Sequence, residues 1–158
     1  MDPTNKSLVP PVSSPATTAT PLSPVASPTT NNKQQLKRIL LVEDDNGLAE
    51  VYQMRLEAEG FSVRRVADGE NALSVALTYK PDLILLDVMM PKVSGFDVLD
   101  ILRNTPETAS IKIIMLTALS QKSDQERAQS LKADDYLVKS QVVIADVIER
   151  IRYHLAQA

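Results

Sequence analysis

The chain has no cysteine and no tryptophan, and among its 158 residues there are four glycines, two phenylalanines and one histidine. Without cysteine there is no disulfide framework and no thiolate metal site. No apolar run approaches the roughly 18 residues of a membrane span, and none of signal-peptide length follows Lys6. A cytoplasmic protein with no membrane partner is therefore the natural expectation. The scarcity of glycine excludes more: neither a Gly-x-Gly-x-x-Gly nor a Gly-x-x-x-x-Gly-Lys loop follows the first apolar run, where Glu43-Asp44-Asp45-Asn46-Gly47 stands instead and would repel phosphates unless a metal intervened. Excess positive charge is also missing. The net charge is −3, of which the segment holding Asp2, Lys6 and Lys33 carries +1, so −4 falls on the rest. A mildly acidic domain is a poor direct partner for nucleic acid.

The prolines that are present are unevenly spread. Seven of the ten fall within residues 1–36, with eleven serines and threonines and no glycine or aromatic residue. Such a segment buries too little apolar surface to offset the entropy of ordering. Residues 1–36 are expected to be a disordered tail and residues 37–158 the folded domain. As a loose coil the tail would span roughly 30 Å. Pro21-x-x-Pro24 has the form of a polyproline ligand, but a plain tether is the simpler reading.

Beyond residue 36, short apolar runs alternate with helical spacing. Strands are expected at residues 37–43, 61–66, 82–87, 111–117 and 135–138. The first helix opens at Asp45 or Asn46, with Leu48, Val51, Tyr52 and Leu56 on its core stripe and Gly60 at its end. The second follows Asp68-Gly69 and carries Ala72, Val75, Ala76 and Tyr79. The third, residues 94–103, carries Phe96, Leu99 and Leu102. Ser123-x-x-Glu126 reads as a capping box for the fourth. Ser140 reads as the cap of the fifth, which carries Ile144, Val147, Ile148, Ile151 and Leu155. This alternation predicts an α/β fold with a doubly wound parallel sheet of five strands and five helices. The runs at 39–42, 83–86 and 113–116 are apolar on both faces, as covered strands are. Arg64 and Arg65 make residues 61–66 the edge strand.

Four of these strands end on residues suited to a phosphoryl group: Glu43 and Asp44, Asp87, Thr117 and Lys139. The carboxyl ends of parallel strands share one edge, where ligands bind. Each residue also has an ordinary reading. Glu43, Asp44 and Asp45 suit the acidic start of a helix, Thr117 is a common strand residue, and Lys139 a common surface cation. Asp87 is harder to set aside, because a carboxylate at the tip of a central strand needs a partner. Facing Glu43 and Asp44, it needs a proton or a cation, and oxygen donors of this kind suit Mg²⁺.

The segments Leu41-Val42-Glu43-Asp44-Asp45, Leu86-Asp87-Val88-Met89-Met90-Pro91 with Gly95, Leu116-Thr117-Ala118 and Ala133-Asp134-Asp135-Tyr136-Leu137-Val138-Lys139 resemble, in order and spacing, the receiver domain of two-component response regulators. The resemblance covers essentially all of residues 37–157. It implies a flavodoxin-like sheet of order 2-1-3-4-5. It implies a phosphorelay protein in which Asp87 takes a phosphoryl group from a histidine kinase as a 4-aspartylphosphate. It assigns Mg²⁺ to Asp44, Asp87, Glu43 through water, and the Met89 carbonyl. Lys139 and Thr117 would neutralise the phosphoryl oxygens, and the small Ala118 would leave the donor room.

The resemblance also implies that Thr117 and Tyr136 switch between two existing arrangements and alter the surface of the fourth helix, fifth strand and fifth helix. The implied partners are a sensor kinase or phosphotransfer protein, a downstream target protein and a homodimer formed on phosphorylation. Val142 and Val143 are candidate contacts, with core packing or helix-end fraying as equal alternatives. The protein would be a signalling phosphoacceptor, not an enzyme. No output module is expected, since the last helix ends near Ala158. Two departures stand out: Ser140 replaces the family's usual proline after the lysine, leaving cis or trans geometry open, and Lys132 replaces a glycine, predicting a reshaped turn. His154, far in sequence from the acids, is expected to be solvated and without a phosphotransfer role.

Two rivals remain. A haloacid dehalogenase type of hydrolase needs Asp-x-Asp after the first strand, which Asp87-Val88-Met89 does not supply. A receiver-shaped scaffold independent of phosphorylation would be expected to lose Asp87, Thr117 or Lys139, and all three are present.

Overall fold

β-branched and aliphatic residues in runs of four to six form the central strands here because both faces of each run find apolar cover. The computed structural model describes residues 35–157; the tail expected at residues 1–36, with its Pro21-x-x-Pro24 element, lies outside them except for its last two positions. In chain order the elements are β1 Arg38–Val42, α1 Asn46–Ala58, β2 Ser62–Val66, α2 Gly69–Tyr79, β3 Leu83–Leu86, α3 Gly95–Arg103, β4 Lys112–Thr117, α4 Lys122–Ser130, β5 Asp135–Val138 and α5 Ile144–Ala156. The strands are all parallel, in the order β2-β1-β3-β4-β5. This is the expected doubly wound sheet, with β2 at an edge.

Alternation along the strands divides the core into two layers. Ile39, Leu41, Leu83, Leu85, Ile114 and Leu116 face α1 and α5. Leu40, Val42, Ile84, Leu86, Ile113 and Met115 face α2, α3 and α4. Most of these side chains are fully buried, and each such burial contributes about 1.5–3 kcal/mol relative to exposure. β2 is only half-covered, and its two arginines divide between the faces. The Arg64 guanidinium lies 4.9 Å from the centre of the Tyr79 ring in α2, while Arg65 reaches Asn46 at the start of α1.

Several helix boundaries depart from the sequence reading. Asp45 does cap α1, accepting from the Leu48 N–H at 3.0 Å, and Gly60 follows the helix at φ 97°. Val51, however, is exposed, and the buried positions are Ala49, Tyr52 and Leu56. The small Ala49 is what lets α1 lie close to the sheet. The capping box at Ser123 and Glu126 does not form: α4 begins one residue earlier behind Gln121, without a side-chain cap, and the Ser123 hydroxyl points back to Gln121. Ser140 likewise caps nothing. Lys139–Gln141 is a single 3-10 turn, and α5 starts three residues later, where the Asp146 carboxylate accepts from the Val143 N–H at 2.9 Å. Val142 packs on the core and Val143 is exposed. No peptide bond among the described residues is cis, so Lys139–Ser140 is trans. Lys132 adopts φ 71°, the left-handed geometry that glycine takes without strain.

His154 is buried rather than solvated, because α5 turns it onto the start of β5. Its Nε2 lies 2.9 Å from Asp135 Oδ2, which also accepts from Arg150 at 2.6 Å. At the same edge of the sheet Arg103 donates to the carbonyls of Lys132, Ala109 and Ile111 and pairs with Asp134 at 2.8 Å.

Two contacts yield tests. A Cβ built on Gly95 would lie 2.1 Å from the Asp87 carbonyl oxygen and 2.7 Å from the Val88 Cα. Gly95→Ala should therefore cost about 2–4 kcal/mol in denaturant unfolding, since backbone must move to admit the methyl group. The second test concerns Asp135. Burial would raise its pKa, but the bonds from His154, Arg150 and the Tyr136 N–H outweigh this and hold it below the ordinary value. A depressed carboxylate stabilises the fold above its unfolded-state pKa, and that contribution disappears as the pH falls through the folded one. Unfolding of the native chain and of Asp135→Asn should thus differ most above the ordinary carboxylate range, and the gap should close as the pH falls below about 4 and through the lowered folded-state value.

Candidate functional site

β1 and β3 are paired with Val42 opposite Leu86, so their next residues, Glu43 and Asp87, emerge side by side. The ladder continues one step further through the Asp87 N–H to the Val42 carbonyl at 3.1 Å. Both carboxylates are only 5% exposed. Asp44 turns outward to solvent, and one oxygen from each of Glu43, Asp44 and Asp87 falls within 4.8 Å of the others.

Lys139 comes from the far side of the sheet, just beyond β5. Its ammonium donates to Glu43 Oε2 at 2.5 Å and to Asp87 Oδ2 at 3.0 Å. Burial acts to lower the Lys139 pKa, but the bond to Glu43 and the Asp87 charge prevail and keep the ammonium above its ordinary range. For Glu43 the balance tips the other way. Burial raises its pKa, with the Asp87 charge adding to the rise, against the bonds from Lys139 and the Asp45 N–H. Three clustered carboxyl groups stand against the single ammonium of Lys139. A hard divalent cation would complete the compensation, and an all-oxygen donor set with one solvent-facing member fits Mg²⁺.

The loop after Asp87 is fixed by its own backbone. The Met89 N–H donates to Asp87 Oδ1 at 3.1 Å, and the Gly95 N–H donates to the Val88 carbonyl at 2.8 Å. Gly95 is the first residue of α3, so that helix is seated directly on the backbone of Asp87 and Val88.

Thr117 and Tyr136 are placed differently from the acids. Thr117 is completely buried at the end of β4, and its Oγ1 accepts from the Leu119 N–H at 3.3 Å. The Tyr136 hydroxyl donates to the Leu119 carbonyl at 2.8 Å. Burial, followed by the charges of Asp124 and Asp87, pushes the Tyr136 pKa up to about 12, so the phenol remains a donor at neutral pH. Leu119 therefore joins the two residues through its backbone. Its side chain plays no part in either bond, and sequence reasoning had no signal for it. The Arg65 tie to Asn46 was also missed, although two arginines in a strand that borders an acidic loop were a visible cue.

Comparison with known proteins identifies the family and the fold. A family model described as "Response regulator receiver domain" matches residues 39–152. The chain is 38% identical over 117 residues to the "DNA-binding dual master transcriptional regulator RpaA" of Synechocystis sp., a match covering 74% of this chain and 48% of that protein. It is 47% identical over 104 residues to the "Transcriptional regulatory protein CpxR" of Escherichia coli, covering 66% of this chain and 43% of that one. The chain thus spans about half the length of the curated relatives it matches. A solved structure, a putative response regulator from Chloroflexus aurantiacus, superposes with a TM-score of 0.73 at 32% identity, over 77% of this chain and 99% of that chain.

A charge-relief test follows from the asymmetry among the acids. Asp44 is exposed and, unlike Glu43 and Asp87, is not bonded to Lys139. Removing its charge eases repulsion without stranding a partner. Asp44→Asn should raise unfolding stability by about 0.5–1 kcal/mol in chelator. It should also remove most of the stabilisation that millimolar Mg²⁺ gives the native chain, by the linkage between binding and folding.

Proposed function

Because the chain belongs to the receiver-domain family of two-component response regulators, we propose that it is a signalling phosphoacceptor whose reacting group is Asp87. The observation that carries this reading is the Lys139 ammonium bonded at once to Glu43 and Asp87, with Asp44 completing an oxygen cluster beside them. A carboxylate in this setting is paired by an ammonium and stands beside the exposed Asp44. An Asp87 oxygen attacks the phosphorus of a phosphohistidine on a partner kinase or phosphotransfer protein. The O–P bond forms as the P–N bond breaks, and the donor imidazole leaves.

Mg²⁺, which Asp44, Asp87, the Met89 carbonyl and, through water, Glu43 would hold, would supply positive charge to the phosphoryl oxygens. Lys139 supplies the protein's own cation beside Asp87. As the aspartate becomes an acyl phosphate, its carboxylate charge is replaced by a larger, doubly charged group, and Lys139 follows the new anion. Thr117, now bonded to the Leu119 N–H, is the hydroxyl that can turn to the third oxygen. That turn releases the Leu119 segment, to which the Tyr136 hydroxyl is tied. The outcome is a population shift in the face built by α4, β5 and α5, read by a downstream target protein or a second copy of the chain. In the cell the site would act in the cytoplasm, where a kinase and its nucleotide are available.

Acetyl phosphate with Mg²⁺ provides the direct test. Intact mass should rise by one phosphoryl group for the native chain and not at all for Asp87→Asn. Equal labelling of the two would reject Asp87 as the acceptor, and labelling of neither would favour a scaffold that works without phosphate.

A further inference from the structure

Arg65 lies close to the end of β2 on the α1 and α5 side of the sheet, and with Glu43, Val66 and Ala67 it lines a pocket of about 260 Å³ at the rim of the acidic cleft. Its guanidinium is held by neutral atoms only. Nη2 donates to the Asn46 side-chain oxygen at 3.1 Å, and more weakly to the Asn46 carbonyl at 3.5 Å. Among the described residues it forms no ion pair, although Glu43, Asp44 and Asp45 follow the neighbouring strand. Arginine carries five N–H donors in a rigid fork, and a single nitrogen of this one is committed.

That placement is unfavourable for two nearby features. A cation beside the first residue of α1 opposes the partial positive charge of a helix N-terminus. A cation beside Glu43 also competes with any divalent ion bound by the acids. What a pinned, unpaired guanidinium at the mouth of this cleft does favour is an incoming anion, since it offsets the repulsion the acids exert on a phosphorylated donor.

We propose that Arg65 recruits the phosphodonor, engaging the anionic group at the rim and setting a preference for doubly charged over singly charged donors. This rests on the phosphoacceptor reading of Asp87. Arg65 takes no part in bond making; it is a positioning residue, and Asn46 is the group that aims it.

The test compares the native full chain with Arg65→Gln and Arg65→Lys, at Mg²⁺ concentrations saturating for each. Initial labelling rates are measured with acetyl phosphate, a dianion at neutral pH, and with phosphoramidate, which carries less net charge. Arg65→Gln should slow acetyl phosphate labelling about three- to tenfold and flatten its dependence on salt. Phosphoramidate labelling should change by less than about twofold, and Arg65→Lys should recover most of the acetyl phosphate rate. Calorimetric titration should show Mg²⁺ binding to Arg65→Gln tightened about two- to threefold, because a competing cation has been removed.

This pairing of a slower reaction with tighter metal binding is what a structural tie to Asn46 would not produce. Equal slowing with both donors, weakened Mg²⁺ binding, or no change in rate would overturn the inference, and so would loss of folding in Arg65→Gln if Arg65→Lys folds yet discriminates no better. Failure of the native chain to label at all would overturn the phosphoacceptor reading itself, and this inference with it.

Discussion

One ammonium group bonded to two buried carboxylates is the constraint around which the upper edge of the sheet is arranged. Lys139 is separated from Glu43 by 96 residues and from Asp87 by 52, so no local structure can make this contact. It exists only when β1, β3, β4 and β5 are stacked in register. Nor is it a net source of stability. Burying two carboxylates costs several kcal/mol even when they are paired, and Glu43 keeps a raised pKa despite its bond to Lys139. The aliphatic layers above and below the sheet sustain this cluster, which is the usual relation between a fold and a reactive site.

How much of this was legible in the letters depended on which physical signal each feature leaves. The strands were clear because both faces of β3 and β4 are apolar, and the interruption at Arg64 and Arg65 marked the edge. Glu43, Asp87 and Lys139 were legible because parallel strands put their carboxyl ends together. Helix starts were less so. Ser123 and Ser140 look like caps, yet α4 starts one residue before Ser123, and the chain takes a 3-10 turn after Lys139 before α5 can begin. His154 was misjudged as solvated because its burial depends on Asp135, a residue on another element. Backbone contributions, such as those of Leu119 and of Gly95 against Asp87, leave almost no trace in side-chain identity.

The two residues expected to move on phosphorylation share one point of attachment. Thr117 accepts from the Leu119 N–H and Tyr136 donates to the Leu119 carbonyl, so a single peptide segment registers the state of both. No long chain of contacts is needed to join them, since one stretch of backbone bonds to both. In the chain the segment joins the end of β4 to the start of α4.

At the opposite edge of the sheet the structure is stitched rather than poised. Arg103 binds three carbonyls and the Asp134 carboxylate, fastening the far end of α3 to the chain on both sides of β4. These bonds lie at the end of the sheet away from Leu119, which follows the carboxyl end of β4. Because this one guanidinium joins positions 29 and 31 residues away in sequence, the starts of β4 and β5 are expected to part together on unfolding and not one after the other.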